Sequence, residues 1–276
     1  MDRKILAFVH IYKAAGTTLA HILRLNFFLT HLDVRVLCED SRGIFQSADM
    51  KKIMLINPFV RCISGHDIKP YSDLLDKFPG IRYITLLRDP IKRTLSQYQY
   101  NVEKLGSNLS FDEHLRIPGE NNTQTRWIAG SDDIDLAKKN IIKRFFLVGI
   151  VEEFDEFLIL LRKKLEPLKF RPGYRTQNVA KKDSPIRTNI NRHFDDYREK
   201  IIRRNHLDIE LYNYIKEEIL PKEKKDYGPS FEFDVAQFKK LEKRYASNLL
   251  RYLDYFYRKC YYMPILKLIQ KVNKIG

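Results

Sequence analysis

The sequence is poor in the features that mark secreted, zinc-binding or membrane-spanning proteins. Its three cysteines, Cys38, Cys62 and Cys260, form no CxxC pair, so neither a disulfide framework nor a zinc site is indicated and a reducing compartment is expected. The sequence contains no uncharged run of about 18 apolar residues, the length that a transmembrane helix needs, so no such helix is predicted. The first strand-like run begins at Ile5, so we expect no signal peptide before it. These absences favour a soluble or peripheral protein.

What the sequence has in excess is positive charge. Lysine and arginine number 50 against 35 aspartate and glutamate residues, and the formal net charge is +15. Such a balance predicts an anionic partner, but it leaves open a charged cofactor, an acidic polymer, nucleic acid and a membrane surface. A chain of 276 residues fits one α/β domain with room for a helical appendage.

Strand-like runs alternate with helical patterns, which predicts a parallel sheet with helices on its faces. The predicted strands are ILAFVHI (5–11), VRVL (34–37), VRCIS (60–64), IRYITLL (81–87) and FFLVGI (145–150). One helix is predicted over 152–165, before Pro167, and another over 197–220, where Pro221 is expected to end it. The long polar segment 169–189 between them indicates a functional or a disordered loop.

The C-terminal part has a different composition and is predicted to be a helical extension, residues 231–276, of a main domain formed by residues 1–230. Apolar residues from Phe238 to Phe256 recur at helical spacing, and residues 234–276 carry ten basic and three acidic residues, a net charge of +7. One interpretation is that this helix packs on the main domain. The other is that the tail lies on an anionic membrane, with Tyr261 and Tyr262 at the level of the headgroups.

The stretch HIYKAAGTT, residues 10–18, follows the first predicted strand and has the ingredients of an anion cradle. A chain that leaves a strand and enters a helix directs backbone N–H groups and a positive dipole end at a ligand. Gly16 permits close approach, Thr17 and Thr18 add hydroxyl groups, and Lys13 adds a mobile charge. The order differs from GxxxxGK[ST], in which the lysine precedes a magnesium-binding hydroxyl. A plain strand-to-helix turn is the alternative.

A second stretch of this kind is LLRDPIKRTLSQYQY, residues 86–100. Asp89 is predicted to cap the following helix and Pro90 to occupy its first position. Arg88 leaves the carboxyl edge of a strand, where open parallel sheets bind ligands, and its guanidinium suits a phosphate group; it could equally pair with Asp89 or cap a neighbouring helix. Ser96 lies in the second turn. Two such turns in one sheet favour a ligand with two separated anionic groups.

Together the two stretches resemble the cofactor motifs of sulfotransferases that use 3′-phosphoadenosine 5′-phosphosulfate (PAPS). They are most similar to the carbohydrate branch (sulfotransferase family 2 type) that contains heparan sulfate 6-O-sulfotransferases and bacterial relatives. The blocks ISGH, NNTQTRWIAG, YRTQNV and RRNHLDIELYNYI extend the likeness, in the family's order, over residues 5–220. The resemblance implies a three-layer P-loop NTPase-like fold and an enzyme that transfers the sulfuryl group of PAPS to a carbohydrate or glycolipid hydroxyl, without a metal.

The resemblance also implies roles for individual residues. Lys13 and His66 are the expected catalytic residues, Lys13 neutralising charge on the leaving oxygen and His66 acting as general base. The expected cofactor-binding residues are Lys13, Ala14, Ala15, Gly16, Thr17, Thr18, Arg88, Ser96, Asn178 and Lys181. The expected acceptor-binding residues are Tyr100, Gln124 and Arg126. For Arg126 a structural ion pair is the alternative, and for Lys181 a solvated basic loop.

The expected partner is a carbohydrate or glycolipid rather than nucleic acid. Heparan sulfate itself is not expected, because the chain has a single tryptophan, Trp127, and because we expect no counterpart of the amino-terminal membrane anchor of the animal enzymes. A bacterial polysaccharide or glycolipid, modified in the cytoplasm or at the inner membrane surface, is the expected acceptor. Two other functions stay open: an ATP-dependent kinase on a related sheet, and a non-catalytic binder of polyanions or membrane surfaces.

Overall fold

A computed structural model describes residues 4–37, 43–174, 185–240 and 248–273. The strands in these ranges are all parallel and form one sheet in the order β2–β3–β1–β4–β5. They are β1 (Ile5–Val9), β2 (His31–Asp33), β3 (Cys62–Gly65), β4 (Ile81–Leu87) and β5 (Phe145–Ile150). The predicted α/β class with a parallel sheet flanked by helices is confirmed.

Helices connect the strands and continue after the last one. They are α1 (Gly16–Asn26), α2 (Ser47–Ile56), α3 (Leu74–Lys77), α4 (Pro90–Leu105), α5 (Phe111–Arg116), α6 (Thr123–Ala129), α7 (Ile134–Arg144), α8 (Phe154–Lys164), α9 (Pro185–Arg192), α10 (Phe194–Arg204), α11 (His206–Tyr214), α12 (Leu220–Tyr227), α13 (Phe231–Lys240), α14 (Asn248–Tyr257) and α15 (Met263–Asn273). A 3₁₀ turn precedes α8 at Val151–Glu153. Two π-helical turns, Ile215–Ile219 and Arg258–Tyr262, precede α12 and α15.

The central strand β1 shows why the sheet is covered on both faces. Its five residues are all buried. Leu6 and Phe8 belong to a core with α1, α8, α11 and α13, whereas Ile5, Ala7 and Val9 belong to a core with α2, α3 and α15. Successive side chains of a strand point to opposite faces, so an unbroken apolar run requires helices on both sides, as in other parallel sheets.

Four of the five strand predictions are confirmed, and the prediction of a strand at 34–37 is wrong. β4 and β5 coincide with the predicted runs, β1 lies within its run and β3 overlaps its run. β2 instead ends at Asp33 because side chains then replace the strand ladder as acceptors. The N–H groups of Val36 and Leu37 donate to the carboxylates of Asp67 and Asp49, at 3.2 and 2.7 Å.

The predicted helix 197–220 is wrong at its C-terminal end, because Pro221 does not stop it. Pro221 lies in the first turn of α12 and directly follows a π-helical turn. Proline lacks an N–H and clashes with the preceding turn of an α-helix, and a wider π turn just before the ring accommodates both defects. Pro264 in α15 also follows a π turn. The same local solution thus lets both helical segments continue past a proline.

The predicted helix is interrupted earlier, at Asn205, between α10 and α11. The Asn205 side chain is buried and accepts a hydrogen bond from the Asn122 N–H at 3.0 Å, while its amide group donates to the carbonyl of Ile201 at 3.1 Å. A buried asparagine that bonds the backbone competes with the helical ladder. The break therefore attaches the start of α11 to the start of α6 through the hydrogen bond between Asn122 and Asn205.

Residues on both sides of position 230 share the same cores, and the division into two domains stays a prediction. Phe231 of α13 packs with α8, and Tyr262 and Leu266 are buried against α2 and α3. The Tyr262 hydroxyl donates to the carbonyl of Asp33 at 2.6 Å, so the segment covers the edge strand β2, which would otherwise expose unpaired backbone groups. This burial excludes Tyr262 from a membrane contact.

The single long helix predicted from residue 231 onward passes through residues 241–247, which lie outside the described residues. On either side of them α13 and α14 are helical, as predicted. Among the described helices, none combines the length and the apolar composition needed to cross a bilayer.

Candidate functional site

The candidate site lies at the carboxyl edge of the sheet, where three adjacent strands end. The loop 10–15 follows β1, His66 follows β3, and Arg88 follows β4. Because β1 pairs with β3 on one side and with β4 on the other, these three chain segments are neighbours although they are far apart in sequence. Open parallel sheets bind ligands at this edge.

The loop between β1 and α1 has a strained backbone. Lys13 and Ala15 have φ angles of 62° and 55°, in the left-handed region that non-glycine residues rarely adopt. Each such residue costs on the order of 1–3 kcal/mol, and such residues cluster at functional sites. The Ala15 carbonyl accepts from the N–H groups of Thr18 and Leu19, at 3.0 and 3.2 Å. The N-cap residue Ala15 supplies no side-chain cap to α1, and the positive end of the helix faces the loop.

Gly16 is required by the protein itself, whereas the sequence suggested a close approach to a ligand. A Cβ atom at this position would lie 1.9 Å from Cδ2 of His10 and 2.0 Å from its Nε2. The start of α1 therefore packs directly on the His10 ring. This contact joins the end of β1 to the first turn of the helix.

Lys13 and Arg88 bring two positive charges to the same part of the edge. The Arg88 Nη1 donates to the Lys13 carbonyl at 3.1 Å, and the Lys13 ammonium lies 4.2 Å from the centre of the Tyr100 ring. Burial lowers the pKa of Lys13, and the charge of Arg88 lowers it further. Burial also lowers the pKa of Arg88, although Glu152 and Asp89 oppose the shift. An anion between the two cations would relieve this repulsion.

Gln124 holds Arg88 in place through its backbone. The Gln124 side chain is fully buried, its Oε1 accepts from the Arg88 N–H at 2.8 Å, and its Nε2 donates to the Arg88 carbonyl at 2.9 Å. The sequence indicated an acceptor contact for Gln124, but its amide group is engaged by this turn. The structure thus gives Gln124 the role of a positioning residue for Arg88.

Asp208 is a positioning residue that the sequence analysis missed. It is fully buried in α11 and accepts from the N–H groups of Gln124 and Thr125 at the start of α6, at 3.1 and 2.8 Å. It therefore caps α6 from another helix and complements the positive end of α6. The block 203–215, which contains Asp208, contributed only to the family resemblance, and its pattern predicted no contact with α6. Its contribution is to hold α6, and with it Gln124, against Arg88.

The other residues that the sequence predicted for the site differ in their contacts and in their exposure to solvent. Arg126 forms a two-point ion pair with Asp132, in which Nε donates to Oδ1 at 2.7 Å. Ser96 is half-buried in α4, the helix that follows Arg88. Residues of the loop and first turn of α1 differ in exposure: Ala14 and Thr18 are buried and Thr17 is exposed. Asn178 and Lys181 lie outside the described residues.

His66 has the geometry of a general base. Its Nδ1 lies 2.7 Å from the carbonyl oxygen of His10. A carbonyl only accepts hydrogen bonds, so Nδ1 carries the proton and Nε2 presents the free electron pair of a neutral imidazole. Burial lowers the pKa of His66 below the ordinary value of 6.5. The hydrogen bond to the His10 carbonyl and the charge of Asp67 raise this pKa, but by less. The His66 ring is therefore neutral at pH 7 and able to accept a proton.

Two aromatic rings support His66 from the loop. The His10 and Tyr12 ring centres lie 4.1 and 4.0 Å from the His66 ring centre. Burial lowers the pKa of His10 to about 3, and the neighbouring His66 contributes to the shift. His10 is therefore neutral at ordinary pH and does not add a charge beside His66. Trp127 meets Tyr12 edge to face at 5.1 Å, which extends the aromatic wall beyond the loop.

Lys69 is a second residue that the sequence analysis missed. Its ammonium lies 3.0 Å from the centre of the Trp127 ring, a cation–π contact. Burial lowers the pKa of Lys69 to about 7, although Asp67 acts in the opposite direction. The charge of Lys69 also helps to lower the pKa of His66. Its spacing of three residues from His66 was a signal available in the sequence, but a lone lysine carries little information without its surroundings.

Comparisons with known proteins point to one class of enzyme. No family model matches the chain. It is 30% identical to heparan sulfate 2-O-sulfotransferase 1 of Homo sapiens, over 36% of this chain and 35% of the relative. It is also 30% identical to heparin sulfate O-sulfotransferase of Drosophila melanogaster, over 49% of this chain and 50% of the relative. The match thus spans between about a third and a half of these curated relatives.

Among solved structures, the chain is similar to a sulfotransferase from Alicyclobacillus acidocaldarius. The two share 14% identity and a TM-score of 0.40, with 74% of this chain and 96% of the other covered. The sequence relatives include 2-O-sulfotransferases, and a place in the 6-O branch stays a prediction. Over the matched stretch, this chain is similar to heparan sulfate O-sulfotransferases.

Proposed function

We propose that this protein is a sulfotransferase that moves the sulfuryl group of PAPS to a hydroxyl group of a carbohydrate or glycolipid. The observation that carries the proposal is the joint arrangement of Lys13, Arg88 and His66 at one sheet edge. Two half-buried cations suit a donor with two anionic groups, and a neutral histidine beside them suits an acceptor hydroxyl. The named relatives support the same class of reaction.

In this proposal the two turns divide the donor between them. The loop from Lys13 to Thr18 binds the 5′-phosphosulfate at the positive end of α1, where anions are stabilised. Arg88 and Ser96 bind the 3′-phosphate, as the family resemblance implies. Asn178 and Lys181 are proposed to complete the nucleotide contact. No metal is assigned, because Lys13 and the end of α1 supply positive charge where the leaving group develops negative charge.

The transfer is an in-line displacement at sulfur. The acceptor oxygen forms a bond to sulfur while the bond between sulfur and the bridging oxygen of the 5′-phosphate breaks, and adenosine 3′,5′-bisphosphate leaves. Nε2 of His66 takes the proton of the acceptor hydroxyl. Lys13 stabilises the charge on the departing bridging oxygen. Positioning and charge stabilisation carry such a reaction, as in phosphoryl transfer.

The acceptor is proposed to lie against the wall formed by Tyr12, Trp127 and Lys69. Aromatic faces suit the apolar face of a sugar ring, and His66 stacks on the same wall through Tyr12. We further propose that the acceptor is a bacterial polysaccharide or glycolipid modified in the cytoplasm. The family resemblance and the single tryptophan of the chain, Trp127, support this acceptor class.

The direct test is to incubate the protein with PAPS and a panel of glycans and glycolipids, and to measure sulfate addition by mass spectrometry. The expected result is a sulfated acceptor and adenosine 3′,5′-bisphosphate in equal amounts, without added magnesium. Phosphate transfer from ATP and magnesium, with no use of PAPS, would support the kinase alternative and overturn this proposal.

A histidine substitution separates chemistry from donor binding. His66→Ala should lower turnover by roughly 10²–10⁴, the usual contribution of a general base, and leave the affinity for adenosine 3′,5′-bisphosphate nearly unchanged. Because the base must be unprotonated and burial lowers its pKa below 6.5, kcat/KM of the unaltered protein should fall only as the pH drops through a value below 6.5. His193→Ala, at an exposed position, is the matched control. Full activity of the His66 variant would place the base elsewhere.

A further inference from the structure

A groove lies between α1 and the C-terminal helical segment 248–273, away from the candidate active site. Its volume is about 1030 Å³, and its walls are formed by His21, Arg24, Tyr252, Asp254, Tyr255, Arg258, Lys259, Met263, Pro264 and Lys267. Arg24 lies in the last turn of α1, whereas the loop of Lys13 precedes the first. At 1.5 Å per residue this separates Arg24 from Gly16 by about 12 Å along the helix.

The C-terminal segment exposes large apolar side chains, two of which, Tyr252 and Tyr255, also line the groove. Tyr252, Tyr255, Phe256 and Leu268 are 71%, 59%, 67% and 61% exposed. We call this surface the C-terminal face; it consists of Tyr252, Leu253, Tyr255, Phe256, Tyr261 and Leu268. Single exposed apolar residues are ordinary, but a contiguous group on one helical segment marks an interaction surface. The opposite side of the segment is already occupied, because Tyr262 and Leu266 are buried in the core.

Positive charge surrounds the C-terminal face. Residues 248–273 contain five basic residues and one acidic residue, and Lys259, Lys267 and Lys271 are exposed. An apolar, aromatic-rich face bordered by lysines is the pattern of a helix that lies in the interface of an anionic membrane. A soluble acidic partner would explain the lysines but not the exposed Phe256 and Leu268.

Two arginines that line the groove, Arg24 and Arg258, each have an N–H group without a hydrogen-bond acceptor among the described residues. Arg24 and Arg258 share the Asp33 carboxylate, and Arg24 Nη2 lies 2.7 Å from Asp33 Oδ2. Arg24 Nε and Arg258 Nη1 are buried and donate to no acceptor in the part of the chain that the structure describes. A buried donor without an acceptor is costly, and the oxygen atoms of a phosphate group are suitable acceptors for guanidinium groups.

We propose that the C-terminal face binds the surface of an anionic phospholipid bilayer, with a lipid phosphate in the groove at Arg24, Arg258 and Lys259. The aromatic side chains then lie at the boundary between headgroups and acyl chains, where such rings are favoured. This site is separate from the proposed PAPS site, and its test needs no enzymatic activity.

The test measures binding of the full chain to vesicles by flotation. One vesicle type is pure phosphatidylcholine, and in the other a quarter of the lipid is phosphatidylglycerol. We expect binding to the anionic vesicles alone. Lys259→Gln with Lys267→Gln should weaken that binding by about fivefold per lysine, and Tyr252→Ser with Phe256→Ser by about tenfold or more, since each loses apolar burial. The melting temperature of each variant should match that of the parent, because all four side chains are exposed.

Matched controls carry equivalent changes elsewhere on the surface. Lys222→Gln with Lys225→Gln removes two exposed charges from α12, and Leu105→Ser with Ile142→Ser removes two apolar side chains from α4 and α7, each of which is 65% exposed. Both control pairs should retain vesicle binding. Equal losses in the controls, equal binding to neutral vesicles, or no binding at all would overturn the proposal.

A competition experiment separates the lipid from other sources of anionic groups. Excess inorganic phosphate should leave most of the protein on the anionic vesicles, because the apolar contacts of Tyr252 and Phe256 need the bilayer. Complete release by inorganic phosphate would identify the groove as a site for a soluble phosphate and overturn the membrane proposal. Retention of a sulfated polysaccharide through Lys259 and Lys267, with no retention of vesicles, would overturn it as well.

Discussion

The two strand-to-helix turns at the candidate site lie side by side but are built in opposite ways. In the turn from β4 to α4, the Asp89 side chain accepts from the Lys92 N–H at 2.9 Å and Pro90 occupies the start of the helix. In the loop from β1 to α1, Lys13 and Ala15 have positive φ angles, and the N-cap residue Ala15 supplies no side-chain cap to the helix.

This difference separates a turn whose helix is capped by its own Asp89 from a loop whose helix receives no side-chain cap from its N-cap residue Ala15. The β4 turn meets its hydrogen-bonding needs with its own residues, so its contribution is to present Arg88, which Gln124 holds by the backbone. The β1 loop supplies no side-chain cap from its N-cap residue Ala15, and two of its residues have strained φ angles. Strain of this kind persists where the surrounding structure enforces it, and it is concentrated at functional sites. We therefore expect substitution of Lys13 in the β1 loop to affect function, and substitution of the cap residue Asp89 in the β4 turn to affect stability.

Among substitutions in the two turns, the largest expected effect is that of Lys13→Ala. Turnover with PAPS should fall by roughly 10²–10³, the usual cost of removing one preorganised donor to a developing negative charge, and the affinity for adenosine 3′,5′-bisphosphate should fall as well. Lys92→Ala is the control, since Lys92 is an exposed lysine of the β4 turn that lies 3.8 Å from Glu152. Steady-state kinetics and calorimetry give both quantities. Similar losses in the two variants would remove the distinction between the turns.

Gly16→Ala should lower the free energy of unfolding by about 1–3 kcal/mol, the range for overpacking a dense region. The added Cβ would meet the His10 ring at 1.9 Å. Urea denaturation measures the effect, and His10→Ala provides the control background. If the clash with the ring is the cause, Gly16→Ala should cost much less in the His10→Ala protein. An unchanged cost would place the strain in the backbone.

Asp89→Ala should lower the free energy of unfolding by about 1 kcal/mol, because the N-cap of α4 is lost. Asp89→Asn keeps a side-chain oxygen for the Lys92 N–H and should lose only a small part of the stability. Both are measured by urea denaturation. A loss of donor affinity in Asp89→Ala without a loss of stability would contradict the view that this turn is built for stability.

Ala15→Gly is the smallest expected effect and has the opposite sign. Glycine adopts a φ angle of 55° without the cost that alanine incurs, so the free energy of unfolding should rise by about 0.5–1 kcal/mol after the entropy of glycine is counted. Ala14→Gly is the control, since Ala14 is buried and is not among the positive-φ residues. It should destabilise the protein. Thermal unfolding of the pair tests the strain directly.

Much of the site could be predicted because its elements are local. Strand β4, the Asp89 cap and Pro90 follow one another in a single stretch, and the structure confirms each of them. The roles of Gln124 and Asp208 could not be predicted in this way. Gln124 reaches Arg88 across 36 positions, and Asp208 reaches Thr125 across 83. The residues next to Gln124 and Asp208 in the sequence form no pattern that predicts their contacts with Arg88 and Thr125.

By itself, the sequence determined the elements that depend on neighbouring residues. Apolar runs predicted the central strands, a proline and an aspartate predicted the start of α4, and a loop with Lys13 and Gly16 predicted an anion-facing turn. These features are encoded locally by side-chain alternation and by capping. A family resemblance then gave the loop an expected ligand.

Only the tertiary structure decided what those elements meet. It brought His66 to the His10 carbonyl and thereby determined which ring nitrogen is free. It placed Lys69 against Trp127, and it allowed Pro221 and Pro264 to remain inside helical segments by means of π turns. It also buried Tyr262 and left Phe256 exposed, although both are aromatic residues of one helical segment. The reason is physical: burial, tautomer and pKa depend on atoms brought close by folding, and residues distant in sequence supply most of those atoms.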